Sequence, residues 1–174
     1  YNRRFAPFYQ MSKNLISNDP SKIVINILVN AGSLPKEHWT NDKDIGGGRI
    51  IGELCHFLDL VVFLTNKKIK SIHSQKLNQS MGESVLVNLQ MSDESIANIQ
   101  YITNGHRSFP KERVEIFQSG KVIQINNFRS IKLYGWSHNF TKYSFTQNKG
   151  NYSALKEFMN CISRDKKNNP ISFE

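Results

Sequence analysis

Apolar residues recur along this chain with two different spacings, and the change of spacing divides it. Phe8, Met11, Leu15 and Ile16 fall three or four apart behind Pro7, which predicts a helix over 6–17 stopped by Asn18-Asp19-Pro20. Residues 22–29, KIVINILV, are β-branched and apolar and predict a buried strand. An irregular stretch over 30–45 holds Pro35, His38 and Trp39, and apolar residues then crowd a predicted helix over 48–65, closed by Asn66. Beyond it the spacing drops to two. Strands are predicted over 69–77, 83–91, 96–103, 113–118 and 122–126, with Ser119-Gly120 as the turn of a hairpin and shorter candidates over 131–134 and 143–146. Leu155, Phe158, Met159 and Ile162 mark a last, amphipathic helix over 153–164. Consecutive strands with hairpin links, and helices at both ends of the sequence, predict an α+β fold: an open, largely antiparallel β-sheet with helices on one face. No repeat or linker interrupts the 174 residues, which predicts a single domain over 1–174.

Composition changes this picture little. With 39% hydrophobic and 11% aromatic residues and 5 prolines the chain is that of a globular protein. It opens on Tyr1 and closes on NPISFE, which suggests a piece of a longer polypeptide, and no signal peptide opens it. The longest apolar run, over 50–64, contains Glu53, His56 and Asp59 and is too short and too charged to span a bilayer. Cys55 and Cys161 lie in separate apolar helices and are expected to be buried free thiols in a reducing, cytoplasmic compartment. No cysteine–histidine spacing suits zinc, and no metal is expected. The net charge of +9 is spread over short clusters, Arg3-Arg4, Lys67-Lys68-Lys70, Lys111 with Arg113, and Arg164 with Lys166 and Lys167. Without a reader motif that reads as a solvated basic surface and not as a nucleic-acid site, and it suits anionic small molecules such as nucleotide sugars.

The stretch GGGRIIGELCHFLDL over 46–60 carries the chemistry. At about 100° per residue, Arg49, Gly52, Glu53, His56 and Asp59 share one sector of roughly 120°, and apolar residues fill the rest. Such a stripe is either a solvated, hydrogen-bonded face or a site. Three glycines permit close approach of another segment or a ligand, the helix N-terminus favours an anion, and His56 can trade protons near neutral pH with Glu53 one turn away. The glycines are not a dinucleotide fingerprint: Ile51 stands where G-x-G-x-x-G needs glycine, and no strand precedes them.

Asn2-Arg3-Arg4-Phe5-Ala6-Pro7, Asn30-Ala31-Gly32 with His38-Trp39, and Gly46-Gly47-Gly48 leading to His56-Phe57-Leu58-Asp59 together resemble the Gfo/Idh/MocA oxidoreductase family, over nearly the whole chain and in its C-terminal domain. The resemblance implies an N-terminal Rossmann domain, absent here, that holds NAD or NADP and supplies a lysine from a Glu-Lys-Pro motif. It also implies hydride transfer from a sugar or cyclitol hydroxyl carbon, and subunit association through the uncovered sheet face. His56 matches the histidine that contacts the substrate hydroxyl and helps move its proton. The family's aspartate four residues earlier is Gly52 here, so proton handling differs or turnover is absent.

Among lesser candidates, Glu53, Arg49, Trp39 and Arg4 are expected near a sugar or nucleotide-sugar substrate, and Arg3 and Asn2 near the cofactor. Arg3 and Arg4 can grip phosphate or pack at a domain junction; Trp39 can stack on a ring or anchor its loop. Lys36 and His38 share that loop without further distinction. Three functions compete: a substrate-binding and oligomerising dehydrogenase domain serving polysaccharide biosynthesis, a non-catalytic association domain of the same fold, and a basic nucleic-acid module.

Overall fold

The computed structural model describes residues 1–35, 38–41, 44, 45, 47–79 and 82–163. A 3-10 turn over Asn2–Phe5 leads into helix α1 (Pro7–Ser17), with Pro7 in its first turn, where a missing N–H costs nothing. Strand β1 (Val24–Asn30) follows, then a loop that includes a short turn at Trp39–Asn41. The apolar helix begins as a π-helical turn, Ile50–Leu54, and becomes α2 (Cys55–Thr65). Asn66 closes it in the left-handed conformation at φ 55°, its N–H on the Val62 carbonyl. Seven strands come next: β2 (Ile69–Gln79), β3 (Gly82–Met91), β4 (Ile96–Ile102), β5 (Glu112–Gln118), β6 (Lys121–Asn126), β7 (Ser130–Tyr134) and β8 (Phe140–Tyr143). Helix α3 (Asn151–Ser163) ends the described chain.

The sheet has eight strands in the order β2-β3-β4-β1-β5-β6-β7-β8. Every pairing is antiparallel except β1 with β4. The first strand of the chain thus lies in the middle, inserted between two meanders. Sequence alone predicted hairpins throughout; β4 and β5 are instead separated by β1, a non-local pairing that local patterns do not encode. Between β5 and β6, Ser119 and Gly120 both have positive φ, as a two-residue hairpin turn requires.

One face of the sheet is covered. Ile25, Ile27 and Val29 of β1, Ala97, Ile99 and Tyr101 of β4, and Val114 and Ile116 of β5 are buried together with Phe8, Tyr9 and Ile16 of α1 and Phe57, Leu60, Val61 and Leu64 of α2. Full burial of each large side chain contributes about 1.5–3 kcal/mol, which makes this layer the main source of stability. Among the described residues the opposite face carries no helix. Across it His73, Asn88, Asn98, Asn26, Glu115, Gln124 and Lys132 stand in register on seven successive strands. The next row holds Ile96, Val24, Phe117, Val122 and Tyr134, all partly exposed.

Helix α3 is amphipathic as its spacing predicts, yet none of its residues is buried, and Leu155, Phe158, Met159 and Ile162 are each more than half exposed. It is tied to the start of the chain. Asn2 donates to the Lys149 carbonyl, and Gly150, at φ 82°, lies so close that a Cβ there would sit 2.4 Å from the Asn2 carbonyl oxygen. Residue 164, the expected end of this helix, lies outside the described residues.

Candidate functional site

The polar stripe of the long helix meets the sheet at one edge. The carboxyl ends of the parallel strands β1 and β4 and the start of β5 come together there, so Tyr101, Val29 and Glu112 form one cross-strand row. Arg49 is buried over this edge. Its guanidinium donates to the carbonyl oxygens of Gly32 at 2.6 Å and Ala31 at 3.1 Å and to Glu53 at 3.3 Å, with Cζ 5.7 Å from the centre of the Tyr101 ring. These bonds hold the loop after β1 against the first turn of the helix. Asn30-Ala31-Gly32 and Arg49-Glu53, far apart in sequence, become one structure.

Glu53 is half-buried between Arg49 and Lys111, whose Nζ lies 3.9 Å away. Beneath it, the Tyr101 phenol is fully buried and its hydroxyl has no hydrogen-bond partner among the described residues. Burial first, and then the Glu53 carboxylate, push this phenol well above the usual tyrosine range, so it stays protonated.

His56 is half-buried one turn beyond Glu53. Its ring stands edge-on to Tyr1 with centroids 5.5 Å apart, and its Nδ1 is sealed without a partner among the described residues. Burial lowers the pKa of the imidazole from its ordinary value, and the Arg3 guanidinium adds to this; Asp59 and Glu53 oppose it only in part. His56 is therefore the neutral imidazole at pH 7, a form able to accept a proton. With Nδ1 sealed, Nε2 is the nitrogen left to meet a ligand.

The other predicted residues are placed differently. Arg3 forks onto buried Glu112, at 2.5 Å and 3.3 Å, with its guanidinium 4.2 Å from the centre of the Phe57 ring. Arg4 grips buried Asp59 with Nε 2.8 Å and 2.9 Å from the two carboxylate oxygens. Both arginines are internal struts joining the start of the chain to β5 and α2, one of the two roles open to them from sequence. The Asn2 amide is occupied by the Lys149 carbonyl. Asn2 and Arg3 thus each give donors to partners inside the fold, and Asp59 drops out of the stripe as Arg4's partner. Trp39 is 61% exposed and stacks on His38 at 6.0 Å, so it does not anchor its loop in the core. Lys36 and Gly46 lie outside the described residues; Gly47 and Gly48 both take positive φ at the approach to the helix.

Tyr101, Lys111 and Asn30 were not legible as site residues. Each lies on a strand or strand end that reaches the helix only through the central position of β1. Cys55 and Cys161 are free and partly exposed, not buried as expected; Cys161 stands on α3, none of whose residues is buried. Among the described residues no cluster of three or more His, Cys, Asp or Glu side chains suits a metal ion, and no helix is long and apolar enough to cross a membrane.

No family model matches this sequence, and no curated protein sequence does. Solved structures do match. UDP-N-acetylglucosamine 3-dehydrogenase GnnA from Acidithiobacillus ferrooxidans matches with TM-score 0.72 at 15% identity, over 94% of this chain and 51% of that one. Aldose-aldose oxidoreductase from Caulobacter crescentus matches with TM-score 0.75 at 14% identity, over 95% and 53%. A super-repressor mutant of Gal80p from Saccharomyces cerevisiae matches with TM-score 0.71 at 15% identity, over 97% and 52%. The chain thus spans about half the length of the proteins it resembles, and at these identities the likeness is one of fold. The α+β sheet that the motifs led one to expect is the fold these three structures contain.

Proposed function

We propose that this chain is the C-terminal, substrate-binding domain of a Gfo/Idh/MocA-type NAD(P)-dependent oxidoreductase that acts on a hydroxyl group of a sugar, nucleotide sugar or cyclitol. One observation carries the proposal: a neutral, half-exposed histidine one turn beyond the Arg49–Glu53 pair, in a fold shared with a nucleotide-sugar dehydrogenase and an aldose oxidoreductase. His56 takes the proton of the hydroxyl being oxidised and returns it in the reverse reaction. Glu53 sets the field around it, and Trp39 offers an exposed ring face for a sugar to stack on. NAD or NADP is the hydride acceptor and belongs to a preceding Rossmann domain, since this chain contributes no glycine-rich nucleotide turn. The 174 residues alone are then inactive, as a domain without its redox partner.

The bare sheet face is assigned to self-association in a homo-oligomer. A broad surface with an exposed apolar row beside an amide-rich row suits a second copy of itself. The apolar face of α3 is assigned to packing against the Rossmann domain. Free cysteines and the nucleotide-sugar chemistry fit a cytoplasmic enzyme of polysaccharide biosynthesis.

The test is His56→Ala in the full-length protein. Turnover falls at least tenfold, about 1.4 kcal/mol of barrier, with the unfolding transition unchanged. An unaltered rate removes His56 from the mechanism. The non-catalytic reading has support of its own, because the Gal80p structure has this fold and Gly52 replaces the family's aspartate. A full-length protein that binds a nicotinamide cofactor but never changes its 340 nm absorbance would favour it, where 340 nm is roughly the absorption maximum of any reduced nicotinamide.

A further inference from the structure

Beside the Glu53–Lys111 contact lies an open cleft of about 440 Å³, between the loop after β1, the β4–β5 loop and the β6–β7 turn. Arg107, Lys111 and Arg129 line it, with Ser108 and Asn127 between them, and no carboxylate lines it among the described residues. Three like charges in one cleft repel one another, and among the described residues only Lys111 of the three has a carboxylate at ion-pair distance, Glu53 at 3.9 Å.

The walls are built, not incidental. Asn30 is buried at the end of β1, and its amide nitrogen donates to the carbonyls of His106 at 2.8 Å and Phe109 at 3.2 Å. The β4–β5 loop is thereby wrapped around one side chain. Gly105 packs so tightly on Asn30 that a Cβ there would fall 2.0 Å from Oδ1. On the other wall, Asn127 and Phe128 both adopt positive φ, 47° and 58°. That conformation is costly for phenylalanine, and it is held because Phe128 is buried edge-on against Tyr9, 5.5 Å between ring centres. Arg129, next in the chain, is turned outward into the cleft. The Asn127 N–H bonds the Glu112 carbonyl, and Gln147 donates to the Asn127 carbonyl, so the turn is fixed from both sides.

We infer that this cleft binds the diphosphate of a nucleotide-linked sugar, which makes the substrate of the proposed dehydrogenase a nucleotide sugar and not a free sugar or cyclitol. The inference rests on that reading for the identity of the ligand as substrate. Guanidinium groups fork onto phosphate oxygens, and with Lys111 shared with Glu53 the two arginines match the two negative charges of a doubly esterified diphosphate; the volume exceeds what a single phosphate needs. A neutral sugar leaves both guanidinium groups uncompensated. The cleft adjoins the His56 stripe through Lys111 and Glu53, so a diphosphate seated there directs the attached sugar along the sheet edge toward the imidazole.

The experiment is calorimetric titration of the full-length protein with inorganic pyrophosphate, and with glucose as the uncharged control. The wild type binds pyrophosphate and not glucose. Arg107→Ala/Arg129→Ala, both exposed positions, weakens pyrophosphate at least tenfold with circular dichroism unchanged, and reduces the salt dependence of what binding remains. Arg129→Lys weakens it less than Arg129→Ala. Equal affinity in wild type and double variant overturns the inference, as does absence of pyrophosphate binding at millimolar concentration. Loss of pyrophosphate binding when NADP is saturating also overturns it, because the phosphate would then be the cofactor's. Binding is read without turnover, so a protein that binds pyrophosphate through these arginines but never oxidises or reduces a nicotinamide loses the dehydrogenase reading alone.

Discussion

Replacing Gly105 by alanine isolates the contact that shapes the cleft. Gly105 does not have positive φ, so its backbone is open to alanine and the penalty is steric. The new Cβ would lie 2.0 Å from Asn30 Oδ1 and 2.8 Å from its Cγ, closer than such atoms can stay. The side chain of Asn30 must move, and in moving it gives up its bonds to the His106 and Phe109 carbonyls. At about 1 kcal/mol for each bond, with some further cost for leaving buried polar atoms unpaired, Gly105→Ala destabilises by about 2–3 kcal/mol. Asn30→Ala removes the same bonds and costs about the same. The decisive quantity is the double variant. With the amide already absent the added methyl no longer meets its three nearest atoms, so the double variant costs about as much as either single one, a coupling of about 2 kcal/mol. Urea denaturation followed by tryptophan fluorescence reads all three, since Trp136 packs against the core. A neutral Gly105→Ala, or a double variant whose loss is the sum of the two, would refute the claim that Asn30 organises the loop.

Other consequences are as direct. The His56 imidazole, held below its ordinary 6.5 by burial and Arg3, titrates by NMR with a midpoint under 6.5. Between that midpoint and 6.5 the unfolded chain binds more protons than the folded one, so this site lowers stability as pH falls through that window and contributes nothing to the pH dependence above it. Catalysis that depends on the neutral ring likewise declines only below pH 6.5, and a midpoint at or above 6.5 would sink this electrostatic picture. Asp59→Asn breaks the fork with Arg4 where the carboxylate is 7% exposed, and costs about 3–5 kcal/mol in chemical denaturation; a loss under about 1 kcal/mol would show that the pair contributes little. Gly150→Ala adds a Cβ 2.4 Å from the Asn2 carbonyl oxygen in a left-handed position, and loses at least about 2 kcal/mol. An unfolding midpoint indistinguishable from wild type would show that α3 is not seated against the chain's start.

The main elements were legible where burial follows local periodicity. Phe8 and Ile16 of α1 and alternate residues of β1, β3 and β5 are buried as their spacing requires, and Asn66 ends α2 where expected. Strand β8 was misplaced, to 143–146 in place of Phe140–Tyr143, because an edge strand whose four residues are all exposed carries no alternation. The π-helical turn at Ile50–Leu54 was invisible, since apolar spacing does not distinguish it from an α-helical one. Within the site, the helix announced Arg49, Glu53 and His56 by their common sector, and the wheel wrongly added Asp59, whose partner Arg4 comes from another segment. Tyr101, Lys111 and the arginines of the cleft reach the same edge only through strand pairings between distant residues. The spacing of α3 gave its amphipathic pattern correctly but does not reveal what the apolar side faces.

The central place of β1 has a kinetic consequence. Strands β2 to β4 and β5 to β8 are two meanders, each closed by short connections, while β1 is separated from β4 by more than sixty residues and from β5 by more than eighty. Each meander can zip locally and early, but they join into one sheet only when a strand made long before them slots between, at a large cost in loop-closure entropy. Refolding is therefore limited by the insertion of Val24–Asn30, and until it occurs the open edges of β4 and β5 are exposed together to pairing with other chains.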